Sequence, residues 1–155
     1  MSKIKPGTKV PDFSLPMTGG GTWSLKEAAG KNLVIYFYPR DMTSGCTRES
    51  QDFRDLAPTF RRAGTQIVGV SRDSVASHDK FAAKESLPFP LLADTDEKVC
   101  KLFDVIKQKS LYGRKYLGVE RSTFLLDAAG RLKQEWRKVK VPGHAEEVLE
   151  AAQRL

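Results

Sequence analysis

The stretch Leu33-Val-Ile-Tyr-Phe-Tyr38, followed by Pro39-Arg-Asp-Met-Thr-Ser-Gly-Cys46 and then Thr47-Arg-Glu-Ser-Gln-Asp-Phe53, decides how this chain folds. Residues 33–38 are apolar or aromatic with no polar alternate, the pattern of a strand buried on both faces of a parallel-type sheet. Pro39 lacks the N–H that a central ladder needs, so the chain leaves the sheet there. Thr43, Ser44 and Gly45 suit a helix opening, and Phe53, Leu56, Ala57 and Phe60 then recur at i, i+3, i+4 and i+7. Cys46 is therefore expected in the first turn of a helix that follows a buried strand. The unpaired N–H groups and the positive end of the helix dipole favour a negative sulfur at that point, which draws a cysteine toward its nucleophilic form. The residues alone leave two readings open: an activated nucleophile, or a small buried hydrophobe.

Outward from this unit the elements alternate. Residues 13–15 and 22–25, with Gly19-Gly-Gly21 between them, predict a small N-terminal hairpin. Gly64 closes the Cys46 helix, Pro58 predicts a kink or break near Ala57, and residues 66–70 read as a second buried strand. Ser74 opens a helix through Lys84, residues 88–92 make a short extended run, and Asp94 or Asp96 caps a helix through Phe103. Residues 122–126 and 132–139, joined by Asp127-Ala-Ala-Gly130, form a second hairpin, and residues 145–155 a closing helix. Pattern alone gives the α/β class.

At 155 residues with 40% hydrophobic composition the chain has the size of one domain, 1–155, able to bury about 70% of its unfolded surface. No stretch approaches the length of a membrane span, and Met1-Ser-Lys-Ile-Lys-Pro6 lacks the apolar core of a signal peptide, so a cytoplasmic protein is expected. Two cysteines 54 positions apart make no disulfide framework. His78 and His144 fall in polar or loop contexts with no metal-ligand spacing. The net charge is +7, with Lys107, Lys109, Arg114 and Lys115 in one cluster and Arg137, Lys138 and Lys140 in another. Acidic residues are interspersed along the chain and aromatic interleaving is sparse, so a solvated surface that steers acidic reductant proteins is favoured over nucleic-acid binding.

Pro39-xxx-Thr43-xx-Cys46 resembles the Pro-xxx-Thr/Ser-xx-Cys signature of peroxiredoxins. The wider run from Phe37 to Glu49 is similar to the bacterioferritin comigratory protein (PrxQ-like) branch. The likeness extends through Pro11-Asp-Phe-Ser-Leu15, Ile67-Val-Gly-Val-Ser71, Phe89-Pro-Leu-Leu92 with Asp94, and Gly118-Val-Glu-Arg121-Ser-Thr-Phe-Leu-Leu-Asp127. It implies a thioredoxin-like fold, a central mixed sheet flanked by helices with the N-terminal hairpin as an extension, and reduction of hydrogen peroxide and organic hydroperoxides without a cofactor. Cys46 is then the peroxidatic nucleophile, Thr43 and Arg121 orient the reacting oxygens, and Pro39 shields the sulfur. Glu49 either orients Arg121 through an ion pair or is an exposed first-turn carboxylate, and Arg48 is equally ambiguous.

The product of attack is a sulfenic acid that some thiol must resolve. Relatives carry a second cysteine five residues after the first or in the following helix, where this chain has Gln51 and Phe81-Ala-Ala-Lys84. Only Cys100 remains, on a helix whose Val99, Leu102 and Phe103 look core-facing. The expectation is a one-cysteine cycle in a monomer, resolved by an external thiol such as thioredoxin, glutaredoxin or glutathione. The alternatives are Cys100 as resolver and a redox-sensing binding protein that uses Cys46 as a switch. A disulfide reductase would need Cys-x-x-Cys, and Thr43 occupies the place of its first cysteine.

Overall fold

A computed structural model describes residues 4–155; the first three residues of the opening segment read above lie outside it. In chain order it contains β1 (Ser14–Pro16) and β2 (Thr22–Ser24), a 3-10 turn (Leu25–Ala28), β3 (Asn32–Phe37), α1 (Ser44–Arg62) and β4 (Thr65–Ser71). Then follow α2 (Val75–Glu85), β5 (Leu91–Ala93), α3 (Lys98–Leu102), β6 (Ile106–Leu111) and β7 (Arg114–Val119). The chain closes with β8 (Ser122–Leu126), β9 (Leu132–Trp136) and α4 (His144–Gln153).

Five strands form the central sheet in the order β5-β4-β3-β8-β9. The strand read first, β3, is the middle one, parallel to β4 and antiparallel to β8. Because side chains alternate across a strand, β3 feeds two cores. Val34, Tyr36 and Tyr38 pack with α1, α2 and α4 through Phe53, Phe60, Phe81 and Val148. Leu33, Ile35 and Phe37 pack on the other face with the N-terminal hairpin and α3 through Leu15, Trp23 and Phe103. The absence of polar alternates in residues 33–38 thus has a direct cause: neither face of the strand meets water.

Several boundaries differ from expectation. Helix α1 runs unbroken through Pro58. That residue is on the exposed side of the helix, where water can serve the carbonyl that its missing N–H leaves unbonded. Strand β5 covers only the end of the 88–92 run, because Pro88 and Pro90 cannot donate to a ladder. Helix α3 starts at Lys98 behind Glu97, although Asp94 still accepts from the Val99 and Cys100 amides and Asp96 from that of Lys98. Strand β9 stops at Trp136, short of Val139.

The β6–β7 hairpin was missed. Its turn places Tyr112 and Gly113 at φ of 51° and 77°, the two left-handed residues of a tight hairpin, but without the Asn-Gly signal that advertises one. Both histidines are buried, contrary to the reading of polar or loop contexts, because each finds a polar partner from a distant element. Among the described residues no helix is long and apolar enough to cross a membrane.

Candidate active site

Cys46 is 1% exposed in the first turn of α1, just beyond the end of β3. Arg121, immediately before β8, reaches it from the neighbouring strand. Its Nη2 donates to Cys46 Sγ at 3.4 Å and its Nη1 to Glu49 Oε1 at 2.7 Å. Cys46 and Glu49 lie three residues apart on one helix, so they share a face and one guanidinium fork spans both. Gly45 makes the approach possible: a Cβ there would stand 3.1 Å from Arg121 Nη2.

Of the two readings left for Glu49, the geometry has the ion pair, with a carboxylate that is buried rather than exposed. Its Oε2 has no hydrogen-bond partner among the described residues. Burial pushes the Glu49 carboxyl up to about 7, against the pull of Arg121. Burial also opposes the Arg121 charge, but Glu49 and the Cys46 sulfur outweigh it and raise the Arg121 pKa. Arg48 points elsewhere and pairs with Asp52 at 3.0 Å on the surface.

Thr43 is the N-cap residue of α1, yet its side chain makes no capping bond. Its hydroxyl instead donates to the Arg40 carbonyl at 3.0 Å, which leaves the oxygen lone pairs free. Pro39 is half-buried at the end of β3, beside Arg40, Arg72 and Asp73. An apolar hollow of about 550 Å³ between Leu25, Leu33 and Leu126 lies at the opposite end of β3 and contains none of these residues.

Cys100 is not brought to this site. It packs in the core on the far face of the sheet from Cys46, so β3 and its neighbours stand between the two sulfurs. Burial and the nearby Asp94 hold its thiol far above the usual range. Gln51 donates to Glu85 at 2.7 Å, tying α1 to α2.

Sequence reading passed over Asp41, in the loop between Pro39 and Thr43. Its carboxylate accepts from Tyr38 Oη at 2.6 Å and Ser77 Oγ at 2.8 Å, and it faces His78 Nδ1 at 2.7 Å. The other ring nitrogen of His78 faces the Leu92 carbonyl at 2.9 Å. Both nitrogens meet polar oxygens, so the ring is tied at both ends, to the Asp41 loop and to β5. Burial alone would raise the Asp41 pKa, but the bonds from His78, Tyr38 and Ser77 lower it. This network fixes a loop in which Met42 is held at φ 65°, a conformation costing about 1–2 kcal/mol for a non-glycine residue. Asp73 adds a third ligand-type atom close by, an oxygen already accepting from the Asp41 amide and Ser71 Oγ. The group comes from three separate elements, which is why no spacing revealed it.

His144, at the start of α4, bonds Thr123 Oγ1 at 2.8 Å, and burial drops its pKa to about 4. It therefore backs the Arg121 strand as a neutral ring.

A mixed sheet whose central strand hands a cysteine to a helix N-terminus, with helices on both sides, is the architecture of thioredoxin-like proteins. The AhpC/TSA family model matches residues 6–135. Peroxiredoxin Bcp of Xanthomonas campestris is 56% identical over 140 residues, covering 90% of this chain and 88% of that protein. A solved structure of Xanthomonas campestris peroxiredoxin Q superposes with a TM-score of 0.90 at 51% identity, over 99% of this chain and 97% of the other. A solved structure of the bacterioferritin comigratory protein of that organism, obtained from trapped intermediate and ligand complexes that address its alkyl peroxide reduction, gives 0.89 at 50% identity over 99% and 98%. The chain belongs to the AhpC/TSA family as a Bcp/PrxQ-type peroxiredoxin, and it is a thiol-dependent peroxidase.

Proposed function

We propose that Cys46 attacks one oxygen of the hydroperoxide, forming an S–O bond as the O–O bond breaks, and becomes a sulfenic acid. The leaving hydroxide or alkoxide takes up a proton and departs as water or alcohol. The observation that carries this assignment is the Arg121 fork, which touches Cys46 Sγ and is anchored on Glu49. The remaining Arg121 N–H groups then meet the oxygens where charge develops, and a fixed donor there acts on the transition state more than on the ground state. Thr43, with its proton committed to Arg40, accepts from the hydroperoxide O–H. Pro39 shapes and shields the mouth of the site.

The cycle uses one cysteine of one 155-residue domain, acting as a monomer in the cytoplasm, and the reductant is an external thiol such as thioredoxin, glutaredoxin or glutathione. Three features support this: the sheet between Cys46 and Cys100, the Gln51–Glu85 bond at one resolving position, and Phe81-Ala-Ala-Lys84 at the other. Intact mass and peptide mapping after one equivalent of hydrogen peroxide test it. A gain of oxygen at Cys46 is expected. Loss of two hydrogens with a Cys46–Cys100 bridge would make Cys100 the resolver. Cys46→Ser abolishes turnover, and Cys100→Ser leaves turnover with a small thiol unchanged; the opposite pattern refutes the assignment.

A further inference from the structure

Strands β6 and β7 pair only with each other, outside the central sheet. The ribbon's fourteen residues, 106–119, include Lys107, Lys109, Arg114 and Lys115 and no acidic residue. Register sorts them. Lys107 lies opposite Gly118, Lys109 opposite Tyr116 and Leu111 opposite Arg114, and directly opposed residues share a face. One face therefore carries three cations with Tyr116 and Leu111, which are 47% and 56% exposed.

The three cations are not equivalent. Lys107 is bonded to Asp104 at 3.0 Å, whereas Lys109 and Arg114 have no acidic partner among the described residues. Lys109 is half-buried. Its stem crosses Gly118 so closely that a Cβ there would stand 3.2 Å from Lys109 Cδ and 3.3 Å from Tyr116 Cε2. The glycine is the slot through which the side chain is laid down. Burial and the Arg121 and Arg72 cations lower the Lys109 pKa, opposed by the Cys46 sulfur and Glu120. The ribbon's base is continuous with the active site, since β7 ends two residues before Arg121.

A half-buried cation with no ion pair among the described residues, on the same ribbon face as a second cation, gains from an arriving anion. Hydrogen peroxide is neutral. The other substrate of a one-cysteine cycle is a thiol.

We propose that the Lys109, Arg114 and Tyr116 face of this ribbon recruits a thiol flanked by carboxylates and delivers it to oxidised Cys46. The inference rests on the external-thiol reading given above. The incoming thiol sulfur forms an S–S bond with Cys46 Sγ as the S–O bond breaks, and hydroxide leaves with the thiol proton as water. A second equivalent of the thiol then releases Cys46 as the free thiol and departs as the disulfide.

The test uses three capped tripeptides, Glu-Cys-Glu, Gln-Cys-Gln and Lys-Cys-Lys, reacting with the protein after oxidation by one equivalent of peroxide. Rates of resolution are measured at low and high salt, for the native chain and for Lys109→Glu/Arg114→Glu. Comparing one peptide across the two proteins cancels its intrinsic thiol reactivity. The acidic-to-basic rate ratio should fall about tenfold or more in the variant, and the native ratio should shrink with salt, as expected for steering by a local field. A variant that gains rate with the basic peptide cannot be explained by misfolding. Rate ratios equal in the two proteins overturn the proposal while leaving the one-cysteine cycle standing. Failure of every peptide to resolve the native sulfenic acid overturns that cycle and the proposal with it.

Discussion

Replacing Glu49 with Gln separates the cost of this site from its use. The native carboxyl is buried, one of its oxygens has no partner among the described residues, and its pKa stands at about 7 against 4.5 for the free side chain. The folded state therefore holds this proton more tightly than the unfolded chain does. Between pH 4.5 and 7 the folded form binds more protons, so stability falls as pH rises through that window and stays lower above it. At about 1.4 kcal/mol per unit, the loss is about 3 kcal/mol. Gln cannot ionise, so urea unfolding of Glu49→Gln should lack this slope, and the variant should gain on the native chain by up to about 3 kcal/mol between pH 4.5 and 8. Arg121 meanwhile loses its charged anchor. A hydrogen bond to a charged group contributes about 1.5–3 kcal/mol, so oxidation of Cys46 by hydrogen peroxide, followed by quenched mass spectrometry, should slow about tenfold or more. The variant should thus be more stable at alkaline pH and slower. An unchanged pH slope with an oxidation rate within about twofold of native would refute the reasoning.

Two further predictions concern what holds the site in place. Gly69→Ala puts a Cβ 2.8 Å from both Leu91 Cδ2 and Tyr36 Cζ and should cost about 1–3 kcal/mol in urea unfolding. Tyr36 also bonds Ser50 of α1, so a cost below about 0.5 kcal/mol would mean that this contact between sheet and helix yields easily. Asp41→Ala removes the shared hydrogen-bond partner of Tyr38, Ser77 and the buried His78 and should cost about 1–3 kcal/mol. A loss under about 0.5 kcal/mol would show that the loop and His78 are held without the Asp41 hydrogen bonds.

The strand–proline–helix unit was legible because its signals are local. Pro39 ends the ladder, the 53–60 periodicity sets the inner face of α1, and the distance along the chain places Cys46 in its first turn. The roles of Thr43, Arg121 and Glu49 came only through the likeness to a family. Other features left no trace of this kind. Pro58 looks like a helix breaker until its exposure is known, and the β6–β7 turn carries Tyr where the signal would be Asn. His78 and His144 read as lying in polar or loop contexts because their partners are 37 and 21 positions away.

The sequence by itself determined that a cysteine stands in the first turn of a helix that follows a buried strand, since strand, stop and helix start depend on neighbours along the chain. The tertiary structure decided which charged groups surround that sulfur and which face of the sheet each cysteine occupies. Arg121 is 75 positions from Cys46 and 72 from Glu49, and a buried charge is tolerable only where folding brings its partner to it. Cys46 and Cys100 are chemically alike in the sequence, but one lies within reach of a guanidinium and the other lies behind a five-stranded sheet.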